Sequence, residues 1–385
     1  MKETIRQEIW NDMAGRKFAA CFVNPGLPEA LQALQLQLSG KPVLAVYETD
    51  LVRTDRWETF YTFPLAYGQL PRCLAKRKLL NKLRQPAPHL FRPVKTLYAG
   101  SGLPDAWLVQ ATDALWKNQY HQKTRKVKLK NELDSLPWKV TEAWLFEELQ
   151  VNVTRLTTEL LKAVFASGGT VLNYLSVEEK NGQLLLHDPL SGNRLRCEAP
   201  LFRKQKISDR PAMLLNFLPW ENFSLVYSEK NCRWLLNGIS SPIAVTATCR
   251  SGKNNFAETA RDRFAAFSPE ITTLPGNDQL PARLPSLRPD YRLPCSFEGV
   301  TAEKVPEMLE QQFDVAKQTG IRYPDFKTFF HRYGRAIEPI TERAYELLAK
   351  SRNPMLIWEK AESEYRLKYE WDIPQNENEA IFRQF

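Results

Sequence analysis

The sequence predicts an α/β body carrying an antiparallel sheet, followed by an all-helical C-terminal domain. Three observations predict it. A strand, turn, helix and strand follow one another over residues 18–48. Short β-like runs with hairpin signals fill 170–250. From 301 onward, apolar residues recur at helical spacing.

Residues 3–13 are predicted as a short amphipathic helix with Ile5, Ile9, Trp10 and Met13 on one face. FAACFV (18–23) is a strand, NPGLP (24–28) a turn, 29–39 a helix carrying Leu31, Leu34 and Leu38, and 43–48 a second strand. Gly40 stands where a helix C-cap belongs. RCLAKRKLLNKLRQ (72–85) is a basic helix with Leu74, Leu79, Leu80 and Leu83, and three prolines in PAPHLFRP (86–93) break it. Those leucines suit either core packing or partial insertion into a membrane surface. HQKTRKVKLK (121–130) reads as a solvated loop or an edge strand.

Residues 153–166 are helical, with Thr154 or Asn152 as the cap, and Gly168-Gly169 ends the helix. TVLNYLSVEE (170–179) is the next strand. A hairpin follows, with turns at Asn181-Gly182 and Ser191-Gly192-Asn193. Further β-like runs cover 212–218, 223–229, 232–238 and 241–248. A helix is expected at 254–266 and a Pro-rich loop or linker at 275–294. Helices are then expected at 303–319, 324–333, 336–350 and 353–370. HRYGR (331–335) reads as a helix end with a capping glycine.

With 385 residues the chain is long enough for two or three domains. Its 53 basic and 44 acidic side chains leave a net charge of +9, which favours anionic partners. The six cysteines (21, 73, 197, 232, 249 and 295) form no CxxC pair and read as free thiols in a reducing compartment. No HExxH and no Cys/His cluster is present, so no metal is expected. The first residues lack an apolar signal region and no run is long enough to span a membrane, so a cytoplasmic chain is expected.

The 18–48 outline is that of a dinucleotide-binding unit, whose turn needs three glycines to cradle a pyrophosphate. Here those positions hold Asn24, Gly26 and Glu29. Glu29 puts negative charge at the helix start, which suits the helix dipole and repels a phosphate. Pro25 and Pro28 remove two N–H groups from the cradle. Glu48, at the end of the second strand, is either a ribose ligand or a plain strand-end acid; an ungapped alignment puts Tyr47 at that place.

Several segments, in order, resemble the FAD-dependent glycerol-3-phosphate dehydrogenases. RKLLNKLRQPAPHLFRPV (77–94) is similar to that family's helix and loop. Residues 151–177 resemble its helix ending in a GA…LNY segment, and DPLSGNRLRCEA (188–199) its D…TGE hairpin. FSPE (267–270) stands where YFP is usual, and FFHRYGRA (329–336) is similar to the opening of its C-terminal helical domain. The resemblance implies a Rossmann-like FAD-binding fold with an antiparallel substrate-type sheet and a C-terminal all-helical domain. It divides the chain into a discontinuous FAD-binding-like domain (1–95, 140–205, 290–320), a substrate or cap-type domain (96–139, 206–289) and a helical domain (321–385).

The departures cluster at the flavin. The family's lysine, histidine and double glycine are absent from 52–70, where only Tyr67-Gly68 echoes them. APLFRKQK (199–206) replaces small residues, and SFEGVTAEK (296–304) keeps only Gly299 of a glycine- and cation-rich run. The chain is therefore expected to be a non-catalytic homologue, a binding or scaffold subunit with no cofactor, working with a protein partner or as a homo-oligomer. In the alternative, an active FAD oxidoreductase with an atypical site, Gly26 and Glu48 hold FAD, and Arg92 and Arg332 contact phosphate. For both arginines a structural salt bridge or cap is preferred. A third reading is an adaptor on an anionic membrane surface, held by 72–84 and 123–130. Nucleic acid is not expected, because no aromatic-interleaved motif accompanies the charge.

Overall fold

Every side chain of β1 (Ala20–Val23) is buried, the pattern of a strand covered on both faces. It lies inside a four-stranded parallel sheet of order β11–β1–β2–β7, with β2 at Val43–Val46, β7 at Thr170–Leu172 and β11 at Leu201–Lys204. Alternation along β1 separates two cores. Ala20 and Phe22 meet α2 (Leu27–Leu38), α3 (Leu70–Arg84) and α4 (Val153–Ala166), through residues that include Leu31, Leu80 and Leu160. Cys21 and Val23 meet α1 (Glu3–Met13) through Trp10 and Met13. On that second face Leu184, Leu186 and Cys197 cover the sheet from a meander of β8 (Ser176–Lys180), β9 (Gln183–His187) and β10 (Arg194–Glu198). Each fully buried leucine in these layers contributes about 1.5–3 kcal/mol.

The computed structural model describes residues 3–14, 16–48, 57–63, 69–100, 109–110, 124–128, 142–180, 183–189, 191–204, 209–215, 223–228, 232–237, 243–249, 270–275 and 302–369. The helix expected at 254–266, the turn at Asn181-Gly182, and the Pro-rich stretch after Pro275 lie outside these residues.

Among the described residues, a second sheet holds nine strands. They are β3 (Trp57–Phe60), β4 (Phe91–Gly100), β5 (Arg125–Lys128), β6 (Glu142–Asn152), β12 (Asp209–Leu215), β13 (Phe223–Ser228), β14 (Cys232–Asn237), β15 (Ile243–Cys249) and β16 (Glu270–Pro275). Their order is β16–β12–β15–β14–β13–β4–β6–β3, with β5 also paired to β6. Only β4 and β13 run parallel. Among the described residues the chain first enters this sheet at Trp57 of β3, returns to it at Phe91 of β4, and leaves β6 at Asn152 for α4.

One local reading is corrected, that of the strand at 170–179, and two others gain detail. The prolines of 86–93 follow the end of α3 at Arg84, as expected, and a 3-10 turn at Pro88–Leu90 then leads straight into β4. Among the described residues β13 pairs with β4 from Lys95 onward, so on that side Pro93 has no described ladder partner to lose. The single strand expected at 170–179 is two, because Tyr174 takes a left-handed conformation (φ 56°) and turns the chain from β7 into the meander. In α3, Leu79, Leu80 and Leu83 are buried and Leu74 packs with Phe63, Tyr98 and Phe146, the core packing that was one of the two expectations for these leucines. Residues 125–128 form an edge strand.

From Val305 the chain is helical: α5 (Val305–Ala316), α6 (Tyr323–Tyr333), α7 (Ile337–Leu347) and α8 (Pro354–Tyr369). They surround Phe326, Phe330, Tyr333 and Trp358. Gly334 (φ 53°) ends α6, the role expected of it. Among the described residues, no helix is long and apolar enough to cross a membrane.

Candidate functional site

The carboxyl ends of β1 and β2, together with the start of α2, form the crevice where open parallel sheets bind ligands. Gly26 is the N-cap of α2, in extended backbone (φ −83°, ψ −172°). Its N–H donates to Oε2 of Glu29 at 3.2 Å. A carboxylate of the chain itself thus occupies the anion-seeking end of the helix. Gly26 has no side chain to return the bond, so this is half of a capping box.

Asn24 takes the left-handed conformation (φ 53°) that a glycine would usually hold. Its N–H donates to the carbonyl of Val46 at 2.7 Å. Its side chain joins the end of β2 twice: Nδ2 donates to Oε2 of Glu48 at 2.9 Å, and the Glu48 N–H donates to Oδ1 of Asn24 at 2.9 Å. The Tyr47 hydroxyl donates to the carbonyl of Pro25. Gly26 and Glu48, the two residues singled out for FAD, therefore lie at one crevice, and each already has a bond to a neighbour in the chain.

These residues do not fit a flavin dinucleotide. A pyrophosphate needs free backbone N–H groups at the helix start. Pro25 and Pro28 supply none, and that of Gly26 is taken by Glu29. The Glu48 carboxylate is engaged by Asn24. Asn24→Gly is expected to destabilise the protein by about 1–2 kcal/mol, two hydrogen bonds' worth. Asn24→Ala is expected to cost about 1 kcal/mol more, because alanine strains the left-handed turn. Urea unfolding checks both, and equal losses would count against the strained turn.

Arg92 and Arg332 lie elsewhere, where the large sheet meets the helical domain. The Arg92 guanidinium stacks over Trp57 at 4.1 Å and donates to Gln150. Burial brings it down to about 10. Arg332 pairs with Glu362. Between them His331 Nδ1–H donates to the carbonyl of His89 at 2.9 Å, which fixes its tautomer. His89 is fully buried, and desolvation, helped by His331 and Arg155, lowers it to about 3.

Two buried charge networks escaped the sequence reading. On β6, Glu148 accepts from the N–H groups of Thr62 and Phe63, the Thr62 hydroxyl and the Tyr98 hydroxyl. Arg77 pairs with it at 3.9 Å. Next to it, burial holds the Lys76 amine below the usual lysine range, with Glu148 opposing the shift, and Nζ donates to the Tyr61 carbonyl at 3.1 Å. On α4, Arg155, Glu159 and Lys162 form a buried triad. Their i, i+4, i+7 spacing among apolar residues was the available signal. Among the described residues no group of three side chains is arranged to hold a metal ion.

No family model and no curated sequence matches the chain. Among solved structures, the glycerol-3-phosphate dehydrogenase from Bacillus halodurans complexed with FAD aligns over 98% of this chain and 95% of its own, with a TM-score of 0.59 at 14% identity. Glycine oxidase from Geobacillus kaustophilus aligns over 67% of this chain and 83% of its own (TM-score 0.39, 12% identity). L-proline dehydrogenase from P. horikoshii aligns over 67% and 80% (TM-score 0.41, 11% identity). The dehydrogenase alignment runs through the parallel sheet, the large antiparallel sheet and the helical tail alike. The chain shares the fold of that glycerol-3-phosphate dehydrogenase.

Proposed function

We propose that this chain is a non-catalytic homologue of the FAD-dependent glycerol-3-phosphate dehydrogenases that acts as a binding or scaffold subunit. One observation carries the reading: the Glu29 carboxylate sits on the Gly26 N–H, where a pyrophosphate would have to bind. Two like charges about 4 Å apart repel by ~1 kcal/mol in water and ~4 kcal/mol at an effective dielectric near 20. A flavin would have to displace this contact with fewer N–H groups to replace it. The layers and the helical tail keep their apolar cores, which supports a chain retained for its shape and surface.

The outer face of α3 supports an anionic partner. The helix has no acidic residue, and Arg72, Lys78 and Lys82 are exposed along it.

An absorption spectrum of the freshly purified protein and an FAD titration followed by tryptophan quenching test the reading. A colourless protein that ignores FAD is the expected result. Tight stoichiometric binding would overturn it, and glycerol 3-phosphate turnover with an artificial electron acceptor would then assign the chain to the active dehydrogenases.

A further inference from the structure

Cys21 and Cys197 are free thiols. Cys21 and Cys197 are buried in the core between the parallel sheet and the meander, and burial pushes both up, Cys197 to about 11. Such thiols are protonated and inert near neutral pH.

Cys232 and Cys249 are placed differently. Cys232 is the first residue of β14 and Cys249 the last of β15. The antiparallel register sets them directly opposite one another. Directly opposed residues share a face of the sheet, with Cα atoms about 4.5–5.5 Å apart. That range lies inside the roughly 4.4–6.8 Å that a disulfide spans. The strands join through 238–242, so the two cysteines close the open end of the hairpin.

We propose that Cys232 and Cys249 are a redox-responsive pair that forms a cross-strand disulfide. The oxidant is a small disulfide such as oxidised glutathione. One thiolate attacks it to give a mixed disulfide and one glutathione thiol. The second thiolate then displaces the other glutathione. One S–S bond breaks and one forms, and two electrons pass from the protein to glutathione. The bond ties together two central strands, since β14 pairs with β13 and β15 with β12. The pair lies outside the flavin-type crevice, so the proposal stands or falls separately from the function proposed above.

The full-length protein is incubated with oxidised glutathione, alkylated and digested with trypsin without reduction. The expected product is the peptide 231–233 bonded to the peptide 234–250, with two of the six thiols lost and both regained on reduction. The oxidised protein is expected to melt several degrees higher than the reduced one. Cys232→Ser and Cys249→Ser abolish the gain, and Cys73→Ser keeps it. Six thiols remaining, a stable glutathione adduct with no bridge, or a bridge between other cysteines or between chains overturns the proposal. The wild-type peptide map decides this even where a serine variant does not fold.

Discussion

Glu148→Ala is expected to destabilise the protein by about 3–5 kcal/mol, the usual loss when one partner of a buried ion pair is removed. The Glu148 carboxylate is fully buried. It accepts from the Thr62 N–H at 2.8 Å, the Phe63 N–H at 2.9 Å and the Thr62 hydroxyl at 2.6 Å. Alanine leaves the two N–H groups without their acceptor and Arg77, 3% exposed, without its counter-charge. Arg77 keeps its bonds to the Thr62 hydroxyl and the Glu147 carbonyl and its position over Phe146, which limits the loss but does not neutralise the charge. Glu148→Gln retains one acceptor oxygen and is expected to lose about half as much. The double variant Arg77→Met/Glu148→Leu removes both charges and is expected to be less destabilised than Glu148→Ala. Urea unfolding followed by tryptophan fluorescence measures all three. A loss under about 1 kcal/mol for the alanine variant would mean that water takes over the carboxylate's role.

Tyr98 belongs to the same network. Burial and the neighbouring Glu148 charge raise its hydroxyl well above the ordinary tyrosine range. The phenol therefore stays protonated and donates to the carboxylate. This fixes the chain at Thr62 and Phe63, where β3 gives way to the segment leading toward α3, so one buried charge joins strand, connection and helix.

Helix α4 was legible from end to end because its signals are local. Asn152 caps it by accepting from the Arg155 N–H, apolar residues repeat at helical spacing, and Gly168 (φ 85°) lets the chain turn out of it. Gly169 has a tertiary reason as well: a Cβ there would come within 2.6 Å of Val164. Strands β4 and β6 carry no such local mark. FRPVKTLYAG contains a proline and a lysine, and EAWLFEELQVN is acidic and helix-like. They are strands because they pair with each other and because β13, far along the chain, joins β4. Pairing at that distance leaves no pattern in a short window.

In the crevice, Asn24 and Glu29 stand out in the sequence because a dinucleotide-binding turn carries glycine at those positions. What filled the space was not visible. Asn24 reads as a missing glycine, and only the structure shows its side chain spanning to Glu48, with the same backbone conformation a glycine would have used. Glu48 reads as a ribose ligand or a strand-end acid. Which of these it resembles depends on what stands opposite, and Asn24 is 24 residues away in sequence. Arg92 and Arg332 carry no sequence sign of their partners Trp57 and Glu362.

Glu159→Ala is expected to cost about 3–5 kcal/mol and, unlike Glu148→Ala, to loosen the helical domain from the body. Glu159 is fully buried on α4 between two cations: Lys162 at 2.8 Å and Arg155 at 3.4 Å. Both cations reach the helical domain. Arg155 Nε donates to the Arg332 carbonyl at 3.1 Å, and its guanidinium lies 4.4 Å from the centre of the Tyr333 ring. Lys162 Nζ donates to the Tyr365 hydroxyl at 3.4 Å. The Glu159 carboxylate therefore pairs with two buried cations that reach α6 and α8. Alanine removes the carboxylate that both cations share, and a favourable way to relieve their repulsion is for the helices to separate and admit water. Amide hydrogen exchange should accelerate in Tyr323–Tyr333 and Pro354–Tyr369 of the Glu159 variant and stay near wild type there in the Glu148 variant. Glu159→Gln keeps an acceptor for Lys162 and is expected to fall between wild type and alanine. Unchanged exchange in both helices, with a stability loss under about 1 kcal/mol, would show that the aromatic core around Trp358 holds the two parts together without the triad.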